Sequence, residues 1–132
     1  MQRLKTRAQF QAVLAGMTLA RTPHFALHQV GLDASDAQLF AVADTWLGAM
    51  VPKRWAKRAV TRNAIKRQVY VLAGTRGLQP QAYVVRLRST FDRKIFVSAW
   101  SEALKASVRQ ELLQLFARAE EAGRRQRAGS TP

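Results

Sequence analysis

The residues best suited to chemistry in this chain lie in one run, Val51 to Tyr70, "VPKRWAKRAVTRNAIKRQVY". It carries seven cations, Lys53, Arg54, Lys57, Arg58, Arg62, Lys66 and Arg67, and no acid. Lysine and arginine donate charge-assisted hydrogen bonds to phosphate oxygens, and Asn63 among them can donate to or accept from a ribose or base edge. The acid-free interval extends from Thr45 to Phe91 and adds Arg76, Arg86 and Arg88. A merely solvated helix mixes signs to gain pairings, so a surface for nucleic acid accounts for this pattern better than a bland cationic face. The formal net charge of +14 and a pI near 11.7 point the same way, with an anionic membrane surface as the weaker alternative.

Other constellations fail on spacing or composition. His24 and His28 are the only histidines, and in a strand they sit roughly 13 Å apart on one face, too far to share a metal ion. The chain has no cysteine, which removes thiolate zinc sites, thiol nucleophiles and disulfides and fits a reducing compartment. No phosphate-binding glycine loop, dinucleotide fingerprint or nucleophile elbow occurs. Asp33, Asp36, Asp44 and Asp92 are scattered among the expected strands, and the glutamates are confined to the last helical region. A two-metal nuclease needs several converging acids. Neither catalytic residues nor a metal site is therefore expected in the protein.

These side chains need elements to hold them. With 132 residues, 48% of them apolar, the chain is long enough for one core. Thr6 and Gln9 form a capping-box pattern for a helix from Arg7 to Ala15, with Phe10, Val13, Leu14 and Met17 at helical spacing and Gly16 near its stop. Pro23 opens an extended segment, and strands are expected at His24–Val30, Ala37–Ala43, Trp46–Val51 and Gln81–Arg88. "GLDASD", Gly31 to Asp36, reads as a turn. A helix is expected over Ala56–Ala73, stopped by "GTRGLQP". Ser98–Ala122 is helical with a stripe of Trp100, Leu104, Val108, Leu112, Leu115 and Phe116, and Ser107 with Gln110 allows it to be two helices. The order α-β-β-β-α-β-α indicates a small two-layer α/β sandwich over residues 1–122, followed by a basic, disordered tail at 123–132. No apolar run approaches the roughly 20 residues that span a bilayer, and "MQRLKTRAQF" lacks a signal peptide's apolar middle, so a cytoplasmic protein is expected.

On the basic helix, Val60, Ala64 and Val71 lie close together, and Ile65, Val69 and Leu72 extend the apolar arc to about half the circumference. Ala59, Arg62, Asn63, Lys66, Arg67 and Tyr70 occupy the other side. Lys53, Arg54, Lys57 and Arg58 add charge before and at the helix start, against the helix dipole, and a bound phosphate would relieve that conflict. Trp46 and Trp100 are expected in the core, while Trp55 can stack on a base or on an arginine.

"KRAVTRNAIKR", Lys57 to Arg67, resembles the signature of the bacterial ribonuclease P protein family, whose core reads Arg-Asn-Arg-x-Lys-Arg. Arg62, Asn63, Lys66 and Arg67 match it, Ala59 matches the small residue one turn earlier, and Ala64 replaces the middle arginine. The likeness runs from "RLKTRAQFQAVL" to "LLQLFARA". It implies an α/β sandwich with a left-handed βαβ crossover whose connecting helix carries the motif. It implies a role in removing 5′ leaders from precursor tRNA, with the hydrolysis carried out by a catalytic RNA subunit, Mg²⁺ held mainly by RNA and no organic cofactor. By the resemblance, Ala59, Arg62, Asn63, Lys66 and Arg67 bind the RNA subunit, and Lys53, Arg54, Lys57 and Arg58 are expected to join that contact. A cleft between the first helix and the sheet receives the leader at the positions of Phe10, Leu14, Ala26 and His28. Precursor tRNA and ribonuclease P RNA are the implied partners, with no membrane and no protein partner required. Gly31–Thr45 is longer than the family's usual link there. A ribosomal or other structural RNA-binding protein is the alternative with the same basic surface, and a DNA-binding or chromatin-like protein the more distant one.

Overall fold

A computed structural model describes residues 1–33, 38–92 and 98–129. The elements run β1 (Gln2–Arg3), α1 (Arg7–Leu14), β2 (Met17–Arg21), β3 (Phe25–Val30), β4 (Trp46–Met50), α2 (Ala59–Ala73), β5 (Ala82–Leu87) and α3 (Glu102–Gly129). The five strands form one sheet in the order β1-β4-β5-β3-β2. β3 is antiparallel to both β2 and β5, whereas β4 is parallel to β1 and β5. Adjacent parallel strands need a long crossover, and α2 supplies it between β4 and β5, the βαβ unit that the resemblance implies.

Alternation along the strands divides the core. Tyr83, Val85 and Leu87 of β5 join Phe25, Leu27 and Leu47 on the face covered by α2 and α3, where Ile65, Val69, Leu72, Val108, Leu112 and Phe116 meet them. Ala82 and Val84 point the other way, with Leu4, Val13 and Trp46, beneath α1. The sheet, α2 and α3 form the two main layers, and α1 lies across part of the opposite face.

The capping box of α1 is present: the Gln9 N–H donates to Thr6 Oγ1 at 3.1 Å, and the Gln9 side chain accepts from the Thr6 N–H at 3.0 Å. Met17, assigned to the helical stripe by spacing, instead opens β2 and is exposed. Gly16 makes that turn: a Cβ there would lie 2.3 Å from the Gln29 carbonyl oxygen, so only glycine lets the chain pass so close to β3.

The strand expected at Ala37–Ala43 is absent over 38–43, and Ala37 lies outside the described residues, as do Ala34, Ser35 and Asp36 of the expected turn. Both long edges of β4 are already paired, with β1 and β5, so β4 has no ladder open to this segment. Its backbone groups are used otherwise. Gln38 adopts a left-handed φ of 51°, the Leu39 carbonyl accepts from Gln9 Nε2 at 2.9 Å, and the Val42 carbonyl accepts from Trp46 Nε1 at 2.9 Å. β1 and β2, which periodicity did not reveal, occupy the two sheet edges instead.

The last helical region is one helix, not two. Ser101, rather than Ser107, caps it by accepting the Leu104 N–H at 3.0 Å. It continues through Gly129, so residues 123–129 of the expected disordered tail are helical, and 130–132 lie outside the described residues.

Candidate nucleic-acid interface

α2 lies on the sheet and α3 through Ala64, Ile65, Val69, Leu72 and Ala73, which are all buried. The apolar arc is narrower than the helical wheel suggested. Val60 and Val71 are 62% and 55% exposed, because they lie roughly 120–140° round the helix from Ile65, outside the contact line. Ala64, in place of the signature's middle arginine, sits at the buried margin. Asn63 and Arg67, both exposed, are about 160° from Ile65 and so project from the centre of the free face, with Ala59 and Lys66 beside them.

Arg62 departs from the others. It is half-buried, and its Nη1 donates to the carbonyls of Ala56 at 3.0 Å and Lys57 at 2.8 Å. This guanidinium braces the segment entering the helix, leaving its other nitrogens for a ligand. Arg58 occupies the N-cap without a side-chain cap, and no acid stands in the first turn. Lys53, Arg54, Lys57 and Arg58 are exposed around this end. Among the described residues, none of the seven cations of this stretch is in an ion pair; the carboxylates that do pair take Met1, His24, Arg76, Arg124 and Arg125. No ion pair among the described residues compensates the charge of this face.

Two further groups extend it. Arg3 on β1 places its guanidinium 4.0 Å from the Tyr70 ring centroid, and the Tyr70 hydroxyl accepts the Ala49 N–H at 3.3 Å. Arg3 carried no signal in the sequence, because only the pairing of β1 with β4 brings it beside α2. The Arg54 guanidinium lies 5.2 Å from the centroid of the half-buried Trp55 ring, so Trp55 has its arginine contact already. Trp46 is buried and Trp100 packs against the main core.

The second candidate surface is the α1 side of the sheet. Phe10 and Leu14 are partly buried against Leu4, Val13, Trp46, Ala82 and Val84. Phe10 rests on β4, since a Cβ at Gly48 would lie 2.6 Å from its ring. Ala26 and His28 of β3 belong to the same side but are 0% and 7% exposed, so neither offers a stacking surface of its own. The more accessible groups beside them are Arg21, opposite Ala26 on β2, and Arg86, opposite Ala26 on β5. In the sequence Arg86 stands out only as charge; its position between inward-facing Val85 and Leu87 is the signal for this side of the sheet. Burial, then Arg86 and Arg21, hold His28 below its ordinary pKa of 6.5.

His24 and His28 serve different environments: His24 bonds to Glu111 of α3, and His28 to Thr18 and Arg86. Among the described residues, no three His, Asp or Glu side chains converge on a point where a metal ion could sit. No described helix is long and apolar enough to cross a membrane.

The family model described as Ribonuclease P matches residues 1–120. The chain belongs to the ribonuclease P protein family. The ribonuclease P protein component of Bordetella parapertussis is 37% identical over 118 residues, covering 88% of this chain and 89% of that one. The Burkholderia mallei component is 33% identical over 121 residues, covering 89% and 81%. Among solved structures, the Staphylococcus aureus RNase P protein superposes with a TM-score of 0.64 at 18% identity, covering 89% of this chain and 94% of that one. At that identity the superposition shows the shared fold. Family membership removes the structural RNA-binding and DNA-binding alternatives from first place and agrees with the bacterial signature in α2.

Proposed function

We propose that this chain is the protein subunit of a bacterial ribonuclease P, binding the catalytic RNA subunit through the free face of α2 and the precursor tRNA leader along the α1 side of the sheet. The observation that carries the reading is the uncompensated face of Asn63, Lys66 and Arg67, with Arg62 at its margin, on the helix that bears the family signature. Phosphate contacts there supply affinity and register, and Asn63 adds hydrogen bonding without charge. Lys53, Arg54, Lys57 and Arg58 widen the contact around the start of α2. On the other side, Phe10 and Leu14 present apolar surface to leader bases, each stacked base contributing about 1–3 kcal/mol.

The phosphodiester hydrolysis belongs in this reading to the RNA, with Mg²⁺ held by RNA. The carboxylates support that division. Glu111 is engaged with Thr22 and His24, Glu120 with Arg76, and Asp44 with the N-terminus, all in different places. The protein raises substrate affinity and metal occupancy by its field and its positioning of the leader, in the cytoplasm where precursor tRNA is made.

Reconstitution tests this. The protein should stimulate cleavage of precursor tRNA by a bacterial ribonuclease P RNA at low Mg²⁺, and should cleave nothing when freed of nucleic acid. Absence of stimulation would remove the subunit reading. Robust cleavage by the RNA-free protein would instead relocate the chemistry.

A further inference from the structure

Three side chains on the α1 side of the sheet are joined in series across three strands. Thr18 of β2 stands opposite His28 of β3, and Arg86 of β5 stands two pairs further along on the same face, opposite Ala26. Thr18 Oγ1 lies 3.2 Å from His28 Nδ1, and Arg86 Nε donates to His28 Nε2 at 3.2 Å. Arginine has donors only, so Nε2 must be the unprotonated nitrogen of this ring. Nδ1 then carries the proton and donates to Thr18. The depressed pKa of His28 keeps that neutral form dominant at pH 7.

Both ring nitrogens are therefore used inside the fold, and the ring is buried. His28 has nothing left to offer a ligand. Arg86 does. Its Nε is fixed, its side chain is partly exposed, and its two terminal nitrogens make no hydrogen bond or ion pair among the described residues. Fixing Nε fixes the guanidinium plane and so aims the remaining fork, the geometry that suits a phosphate oxygen pair. Arg21 flanks the same small residue, Ala26, from the other side, and it too is in no ion pair among the described residues. Two cations across an alanine repel each other unless an anion lies nearby.

We propose that Arg86 is a ligand for a backbone phosphate of single-stranded RNA on this side of the sheet, and that His28, held by Thr18, is the positioning residue that aims it. The proposal rests on the reading that the leader follows this surface. It assigns His28 an indirect role in place of direct contact with a base.

The test uses enzyme reconstituted with ribonuclease P RNA and compares affinity for precursor tRNA with that for mature tRNA over a salt series. Arg86→Ala should weaken precursor binding about tenfold, as expected for loss of a charge-assisted pair. It should leave mature tRNA unaffected and lower the salt slope for precursor by about 0.7. His28→Leu removes the acceptor and should reproduce most of the loss, whereas His28→Gln, which retains an acceptor near Nε2, should restore part of it. In the Arg86→Ala background, His28→Leu should add nothing. If the unsubstituted enzyme prefers precursor but Arg86→Ala leaves that preference intact, the proposal is wrong while the leader reading stands. Independent, additive effects of the two substitutions would likewise overturn it. An unsubstituted enzyme that binds both tRNAs equally would overturn the leader reading and this proposal together.

Discussion

Glu111 of α3 holds His24 by two bonds at once, accepting its backbone N–H at 2.7 Å through Oε2 and pairing with its ring Nδ1 at 2.8 Å through Oε1. Oε2 also accepts from the Thr22 hydroxyl at 2.8 Å, and the His24 ring stacks on Phe91 with centroids 3.9 Å apart. One carboxylate thus fastens the turn before β3 to the long helix. Glu111→Ala would leave the Thr22 and His24 donors short of a partner in a partly buried site, a loss of about 1–3 kcal/mol. Chemical denaturation should show that loss, with RNA affinity of the folded protein unchanged because none of these groups lies on the free face of α2. A change below about 0.5 kcal/mol, the usual effect of an ordinary surface substitution, would mean the network is idle.

Lys66 and Arg62 separate two roles that the signature merges. Lys66 is exposed and in no ion pair among the described residues, so Lys66→Ala should weaken binding to the RNA subunit, reduce the slope of log K against log salt by about 0.7–0.9 and leave stability unchanged or slightly raised. Arg62→Ala should also weaken binding, but it deletes the bonds to the Ala56 and Lys57 carbonyls and should cost about 0.5–1.5 kcal/mol of stability. Paired salt series and unfolding curves check both. Equal stabilities for the two variants would show that the brace contributes nothing.

The candidate surface on α2 was legible because charge pattern and helical period are local properties. Both survive in the structure, with Arg62 at the margin, about 60° round the helix from Ile65, and bonded to the preceding turn. The helical stripe up to residue 122 and the strands at 25–30, 46–50 and 82–87 were legible for the same reason, whereas the continuation of α3 from 123 to 129 was not. What escaped depends on partners distant in sequence. Two-residue β1 has no periodicity to read and exists because β4 offers it an edge. The apolar residues at 39–42 read as a strand, yet Gln9 and Trp46 take their carbonyls. The connection of His28 to Arg86 spans 58 residues and appears only once β3 and β5 are in register.

Gly48 offers a test of how Phe10 reaches its place. The ring lies on the β4 backbone where any Cβ would intrude to within 2.6 Å. Gly48→Ala should therefore lift Phe10 and α1 from the sheet, costing about 1–3 kcal/mol as overpacking does. It should also lower affinity for precursor tRNA while sparing mature tRNA, because only the α1 side is disturbed. Phe10→Ala alone should lower stability and precursor affinity together, since the ring packs on the core and borders the surface. Combining the substitutions should restore part of the stability lost in Gly48→Ala, because the smaller side chain removes the clash with the ring and leaves only that with Leu4 Cδ1, at 2.9 Å. A double variant no more stable than Gly48→Ala would place the strain elsewhere.

His28 should give the fold a pH dependence of defined sign. Its folded pKa is held below the ordinary 6.5, first by burial and then by Arg86 and Arg21. Between the folded value and 6.5 the unfolded chain binds more protons than the native one, so this group makes stability rise with pH in that window. As pH falls through about 6.5, the contribution is lost progressively, and it levels off below the folded pKa, where both states are protonated. The structural event is protonation of Nε2, which removes the acceptor for Arg86 and places a third cation beside Arg21 and Arg86. His28→Gln cannot titrate. The stability difference between the unsubstituted protein and His28→Gln should therefore shrink or reverse as pH falls from about 7.5 to 5, and stay flat above about 7.5. Urea unfolding at several pH values measures it directly. A difference that does not change across that range would mean that His28 titrates equally in both states, and the neutral acceptor form would lose its support.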